Sequence, residues 1–265
     1  MLAAVLGKPV AHSLSPALHN AGYAAAGLSG WSYSAIECAE AELPDLVAGL
    51  GPRWAGLSLT MPLKAAALAV ADAVAPLPAM LGAANTLVRQ PGGGWLAENT
   101  DAGGMTDALL AVGAAGSFCI LGAGGTARAA LAAASELGPP DVTICARRPS
   151  TVDELRPVAA ALGLRLSHVD WPAAGSVLHS DVVISTVPAE AADHLASSVH
   201  WGQSTVLLDA LYHPWPTPLA ASAAAAGCRV VSGLDLLLAQ AVRQFVLFTG
   251  VPAPVDAMRA ALPRR

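Results

Sequence analysis

Lysine is nearly missing from this chain: of fourteen basic residues twelve are arginine, and only Lys8 and Lys64 carry an ammonium. A guanidinium effectively never gives up its proton and an ammonium can, so a lysine kept in an arginine-rich background points to a place where arginine cannot serve. Asparagine is scarcer than its usual share too, with Asn20, Asn85 and Asn99 the only three, the last two each followed by threonine. The four cysteines, Cys38, Cys119, Cys145 and Cys228, stand far apart, with no CxxC pair and no histidine at metal-ligand spacing. That excludes a disulfide framework and a zinc site from the expectations and leaves reduced packing residues. Charged residues make up 12% of the chain, with a formal net charge of −5 and no basic stripe. Neither nucleic acid nor an anionic lipid surface is therefore expected as a partner.

Hydrophobic residues reach 54%, but much of this is alanine in runs such as Ala223 to Ala226, too short and interrupted to span a bilayer. The first ten residues read as a short apolar strand followed by Gly7-Lys8-Pro9, without a basic leader or cleavage site, so no export signal is expected. The expectation is a cytoplasmic enzyme without membrane contact, monomer or homodimer, whose partner is a small-molecule substrate.

At 265 residues the chain has room for two domains. Short β-like runs at Leu2 to Leu6, Ser32 to Glu37, Gly56 to Thr60 and Thr86 to Arg89 alternate with helical patterns near Ser15 to Ala26 and Ala41 to Leu50. Pro16 suits a helix capped by Ser15, and Pro62 marks another strand-to-helix turn. After Asp101 a helix is predicted near Gly104 to Val112. A second α/β series then starts at Phe118 to Leu121 and continues through a helix at Thr126 to Leu137, a strand at Val142 to Cys145 and a helix near Val152 to Leu162. Strands near Leu164 to Val169, Val182 to Ser185 and Val206 to Asp209 complete the outline of a doubly wound sheet. The apolar helix predicted from Leu234 to Phe248 is expected to pack back on the first domain. The fold class is thus α/β, with residues 1–102 and 238–265 as a substrate and catalytic domain and 103–237 as a Rossmann-type dinucleotide domain.

Gly122-Ala123-Gly124-Gly125-Thr126-Ala127 follows the run Phe118 to Leu121 and opens an alanine-rich helix. This is the GxGxx(G/A) fingerprint in its strand-turn-helix setting, where glycines admit the pyrophosphate and the helix N-terminus favours its charge. The next strand ends Cys145-Ala146-Arg147-Arg148, with guanidiniums to bind a 2′-phosphate and no carboxylate to repel it. NADP is the cofactor expected.

Four polar clusters mark the first half: His12 to Pro16, Ser58 to Lys64, Gly82 to Thr86 and Glu98 to Asp101. Ser13 and Ser15 suit a carboxylate at a helix start. Lys64 with Asp101 suits ketone reduction, because hydride arrival builds negative charge on oxygen and an ammonium stabilises it and then donates a proton. The histidines His168, His179, His194, His200 and His213 show no ligand spacing and read as solvated or packing residues.

These motifs resemble the shikimate dehydrogenase family across nearly the whole chain. The family's Gly-x-Pro-(x)2-His-Ser-x-Ser-Pro-(x)2-His-Asn pattern is matched by Gly7 through Asn20, its Thr-x-Pro-x-Lys by Thr60 through Lys64, its Gly-Ala-x-Asn-Thr by Gly82 through Thr86, its Asn-Thr-Asp by Asn99 through Asp101, and its Gly-Ala-Gly-Gly-x-x-Arg by Gly122 through Arg128. Later, Asp209 to Leu219 and Gly233 to Gly250 resemble its last strand, loop and closing helix. The resemblance implies reduction of 3-dehydroshikimate to shikimate with NADPH. It assigns the acid/base pair to Lys64 and Asp101 and substrate contacts to Ser13, Ser15, Thr60, Asn85 and Gln240, and it puts Tyr212 near the substrate and Gly233 near the nicotinamide. It leaves Arg147 as the retained 2′-phosphate clamp beside Arg148, which replaces the family's threonine; Gly122 through Ala127 hold the dinucleotide. Ser58 stands where the family has asparagine, and Leu59, Ala102 and Ser185 to Pro188 also depart from its pattern. Among related activities, quinate reduction is disfavoured by Ser15, and use of NAD by Arg147. A cofactor-sensing module without chemistry has no need for Lys64 and Asp101 together.

Overall fold

The computed structural model describes residues 1–263; Arg264 and Arg265, the last two residues of the expected first domain, lie outside them. The chain divides into two units, one formed by Met1–Gly104 with the chain from Leu237 onward, the other by Met105–Leu236.

The first unit carries strands β1 (Leu2–Gly7), β2 (Ser32–Glu37), β3 (Trp54–Leu59), β4 (Ala73–Val74), β5 (Thr86–Arg89) and β6 (Trp95–Glu98). Its helices are α1 (Ser15–Ala25), α2 (Leu43–Ala48), α3 (Ala67–Val70) and α4 (Pro76–Leu81), and α5 (Thr100–Leu110) begins in it. The sheet order is β2-β1-β3-β5-β6-β4. β1 pairs parallel with β2 and β3, while β5 runs antiparallel between β3 and β6. Strand β1, paired on both edges, is apolar on both faces, as burial on both sides demands. Ala4 and Leu6 pack with Leu43, Val47, Leu57, Leu63 and Leu87 on one side. Ala3 and Val5 pack on the other with Leu18, Tyr23, Leu238, Phe245, Phe248 and Met258.

The second unit carries β7 (Phe118–Leu121), β8 (Asp141–Ala146), β9 (Arg165–Asp170), β10 (Val182–Ser185), β11 (Val206–Asp209) and β12 (Arg229–Val231). Its helices are α6 (Gly125–Leu137), α7 (Pro149–Asp153), α8 (Arg156–Ala161) and α9 (Pro218–Ala225). All its strand pairs are parallel, in the order β12-β11-β10-β7-β8-β9. This is the doubly wound order with the first strand, β7, at its centre. Helix α10 (Gly233–Thr249) starts in this unit and ends in the first, followed by α11 (Val255–Ala260). The closing helix therefore packs on the first sheet through Leu238, Ala241, Phe245 and Phe248. Among the described residues no helix is long and apolar enough to cross a membrane.

Several local expectations are corrected. Ser15 is the first residue of α1, not its cap; Leu14 holds the cap position without a side-chain bond, and the Ser15 N–H donates to Ser13 Oγ at 3.3 Å. Helix α5 starts at Thr100 rather than near Gly104, because Asn99 Oδ1 accepts the N–H of Ala102 at 3.1 Å and caps the first turn. The pattern from Val152 to Leu162 is split into α7 and α8 by Pro157 in the first turn of α8.

Candidate active site

Lys64 follows a pinned turn. Leu63 is wholly buried, its N–H donates to Thr60 O at 2.8 Å, and the carbonyl of Lys64 accepts the N–H of Ala84 at 2.8 Å. Asp101 lies in the first turn of α5, where unpaired helix N–H groups suit a negative charge. Lys64 Nζ donates to Asp101 Oδ2 at 2.6 Å, with side chains 19% and 14% exposed. The pair is thus shielded enough to be strong and open enough to meet a ligand.

Asn85 ties the two halves of this site together. Its backbone carbonyl accepts from Leu59 N at 2.7 Å and its N–H donates to Glu98 O at 3.1 Å, fixing it between β3 and β6. Its side-chain Oδ1 accepts the N–H of Thr100 at 2.7 Å, and Nδ2 donates to Thr100 Oγ1 at 3.0 Å, next to Asp101 in sequence. Asn99 performs the same service one residue earlier: besides capping α5 it donates to Ala83 O at 2.9 Å.

Gln240 lies on α10, buried, with its amide donating to Leu237 O at 2.9 Å. A Cβ on Gly104 would meet the Gln240 backbone N at 2.7 Å, so glycine there is what lets α5 and α10 approach this closely. Ser13 and Thr60 are partly exposed and Ser15 is buried at the start of α1.

In the second unit the loop after β7 has the features a dinucleotide phosphate requires. Gly122 adopts φ +104, a left-handed backbone that favours glycine, with Thr186 Oγ1 only 2.6 Å from where a Cβ would stand. Gly124 holds the cap position of α6 without a side-chain bond, and a Cβ there would project into open space. The first-turn N–H groups of α6 thus face a cradle that side chains leave clear, which fits a pyrophosphate. Gly125 and Thr126 open α6, Ala123 is partly exposed and Ala127 is buried. Arg147 and Arg148 sit exposed just past β8 with no side-chain partner among the described residues, free to bind a phosphate. Tyr212 is half-buried beyond β11, its phenol pushed up by burial. Its loop is held by Asp209, whose carboxylate accepts Thr217 Oγ1 at 2.7 Å and Leu211 N at 3.1 Å. Gly233 opens α10, where a Cβ would meet Ala210 O at 2.4 Å. Among the described residues no cluster of three or more His, Cys, Asp and Glu side chains could hold a metal ion.

The predicted residues Lys64, Asp101 and Asn85 are brought together within the first unit, while Tyr212, Gly233 and the glycine loop belong to the second. Sequence reasoning missed the polar chain buried behind Asn85. Tyr33 O–H donates to Ser58 Oγ at 2.6 Å, Ser58 to Gln244 Oε1 at 2.7 Å, and Gln244 Nε2 to Thr86 Oγ1 at 3.1 Å. The available signals were polar residues inside apolar elements: Tyr33 between two serines and Gln244 one helical turn after Gln240.

Residues 5–87 match the shikimate dehydrogenase substrate binding domain family, 233–262 the shikimate 5'-dehydrogenase C-terminal domain, and 117–212 a family described as NADP oxidoreductase, coenzyme F420-dependent. A shikimate dehydrogenase (NADP(+)) of Acidiphilium cryptum is 39% identical, over 96% of this chain and 92% of its own. The crystal structure of a shikimate 5-dehydrogenase from Mycobacterium fortuitum aligns with a TM-score of 0.90 at 47% identity, covering 99% of this chain and 97% of that one. One from Thermus thermophilus, in complex with NADP(H) and shikimate, aligns with a TM-score of 0.85 at 31% identity, covering 98% of each.

Proposed function

Because the chain belongs to the shikimate dehydrogenase family, we propose that Lys64 and Asp101 are the pair through which it handles the proton of its reaction. The chain is an NADP-dependent oxidoreductase that reversibly reduces 3-dehydroshikimate to shikimate, on the route to chorismate and the aromatic amino acids. Bound NADPH supplies the hydride. The observation that carries the site assignment is the 2.6 Å contact between Lys64 Nζ and Asp101 Oδ2.

The Lys64 ammonium donates to the substrate carbonyl oxygen, stabilises the charge that grows there and transfers a proton as the alcohol forms. Asp101 holds the amine in place and balances its charge. In the reverse direction Lys64 accepts the hydroxyl proton. Ser13 and Ser15 bind the substrate carboxylate, supported by their place at the start of α1. Thr60, Asn85, Tyr212 and Gln240 bind the remaining oxygens, and Asn85 is supported in this by an N–H that no group among the described residues takes. Gly122 through Ala127 and Gly233 receive the dinucleotide, and Arg147 with Arg148 its 2′-phosphate, supported by their exposure and lack of partners. Residues 1–102 with 238–265 act as the substrate domain and 103–237 as the NADP domain. The working location is the cytoplasm, a reading supported by four free, buried cysteines, and the working assembly is a monomer or homodimer without nucleic acid.

The test is an absorbance assay at the NADPH band with shikimate and NADP+, comparing wild type with Lys64→Ala. Turnover is expected to fall by about 10²- to 10⁴-fold while NADP+ still binds. Undiminished turnover in Lys64→Ala would remove Lys64 from the mechanism.

A further inference from the structure

Ser58 and Thr86 face each other across β3 and β5 in register, and the Gln244 carboxamide bridges them from α10. The chain of hydrogen bonds continues, since Thr86 Oγ1 donates to Asn85 Oδ1 at 2.9 Å. Each member has few hydrogens, so the direction of one bond settles the next.

That direction is set at Tyr33. Its ring is buried and stacks on His19, with centroids 4.2 Å apart and planes 3° from parallel. The Asn20 side chain clamps its backbone with two bonds, Nδ2 to Tyr33 O at 2.8 Å and Tyr33 N to Oδ1 at 2.9 Å. Among the described residues the Tyr33 hydroxyl meets only Ser58, and burial pushes the phenol well up, so it keeps its proton and donates it there. Ser58 must then donate to Gln244 Oε1, which turns the Gln244 amide nitrogen toward Thr86. Thr86 Oγ1 lies 3.2 Å from Thr100 Oγ1 and 2.9 Å from Asn85 Oδ1, and its single hydrogen goes to the nearer carboxamide oxygen. Running the chain the other way would leave the Tyr33 hydrogen without an acceptor inside the core. Together with the Thr100 N–H, this holds the oxygen end of the Asn85 amide inward and leaves one N–H of its amino end without a partner among the described residues.

We propose that Gln244 is a positioning residue for substrate binding, the link that passes a fixed hydrogen-bond direction from Tyr33 through Ser58 and Thr86 to the carboxamide of Asn85. The inference rests on the reading that Asn85 touches the substrate. It also gives the His19-Asn20 pair of α1 a task, holding Tyr33 at the head of the chain. Ser58, with its hydrogen committed to Gln244, is itself able only to accept further bonds.

Steady-state kinetics on the full chain, with shikimate varied at saturating NADP+, test this in Tyr33→Phe, Gln244→Met, Thr86→Val and Asn85→Ala. Gln244→Met and Thr86→Val are expected to raise the KM for shikimate about fivefold, and Tyr33→Phe about threefold, with kcat and the KM for NADP+ within about twofold of wild type. Thr86→Ser, which keeps the hydroxyl, is expected to restore most of the loss seen in Thr86→Val. The Tyr33→Phe, Thr86→Val double variant should be no worse than Thr86→Val alone, because both cut one path. Should Gln244→Met fail to fold, the conservative Tyr33→Phe and Thr86→Val decide. An Asn85→Ala that raises KM while the other three leave it unchanged overturns the relay and spares Asn85 as a ligand. An Asn85→Ala with wild-type KM removes Asn85 from the substrate site, and the relay with it.

Discussion

Single residues in the first unit carry more polarity into the core than its apolar strands suggest. His19 is fully buried, and burial pushes its imidazole down to about 3, with the Gln244 side chain beside it only partly opposing. The folded state therefore keeps His19 neutral, whereas the unfolded chain binds a proton near the ordinary value of 6.5. Stability from this site is complete above that value and is lost as pH falls through the window between 6.5 and about 3. His19→Phe, which preserves the stack on Tyr33, is expected to lose less stability than wild type between pH 7 and pH 5, by about 2 kcal/mol. Urea unfolding of both proteins at the two pH values measures this, and equal losses would show that His19 takes up no proton on unfolding.

Elements were legible where one signal dominated. The ends of β2, β5, β7, β10 and β11 agree with their apolar runs in the sequence. The strands β4, β6 and β12 and the helices α3, α4, α9 and α11 were not foreseen: β4 and β12 have only two and three residues, and an alanine-rich helix such as α9 shows no apolar and polar faces to set a period. The early start of α5 comes from the Asn99 cap, and Gly103 and Gly104 lie inside the helix where α10 comes close. That closeness is testable: Gly104→Ala places a methyl 2.7 Å from Gln240 N, and backbone cannot step aside as a side-chain tip does. A loss of about 1–3 kcal/mol in stability is expected, with a higher KM for shikimate as Gln240 shifts. A variant as stable and as tight as wild type would show that α5 and α10 have slack at this contact.

For the molecule as a whole, the candidate site was readable in outline because its chemistry sits at motif positions, Lys64, Asp101, Asn85 and the glycine loop among them. What could not be read was the support behind it, since Tyr33, Ser58, Thr86 and Gln244 lie on four different elements and meet only after folding. Arg147 lies in the second unit, whereas Lys64, Asp101 and Asn85 belong to the first. Arg147→Ala is expected to raise the KM for NADP+ by about tenfold or more, by removing a charge-assisted bond to the 2′-phosphate, with little change in the KM for shikimate. Titration of each ligand at saturation of the other measures this; an unchanged KM for NADP+ would move the phosphate contact to Arg148.

The two units also differ in when they can be finished. The second unit is one uninterrupted stretch, Met105–Leu236, whereas the first is begun at Met1 and completed only by the chain from Leu237 onward. During synthesis Tyr33, Ser58 and Thr86 emerge early, but the carboxamide that joins them arrives more than a hundred residues later in Gln244. On the ribosome the sequence of the second unit is therefore complete before that of the first, and Gln244 is the last member of the buried polar chain to be made.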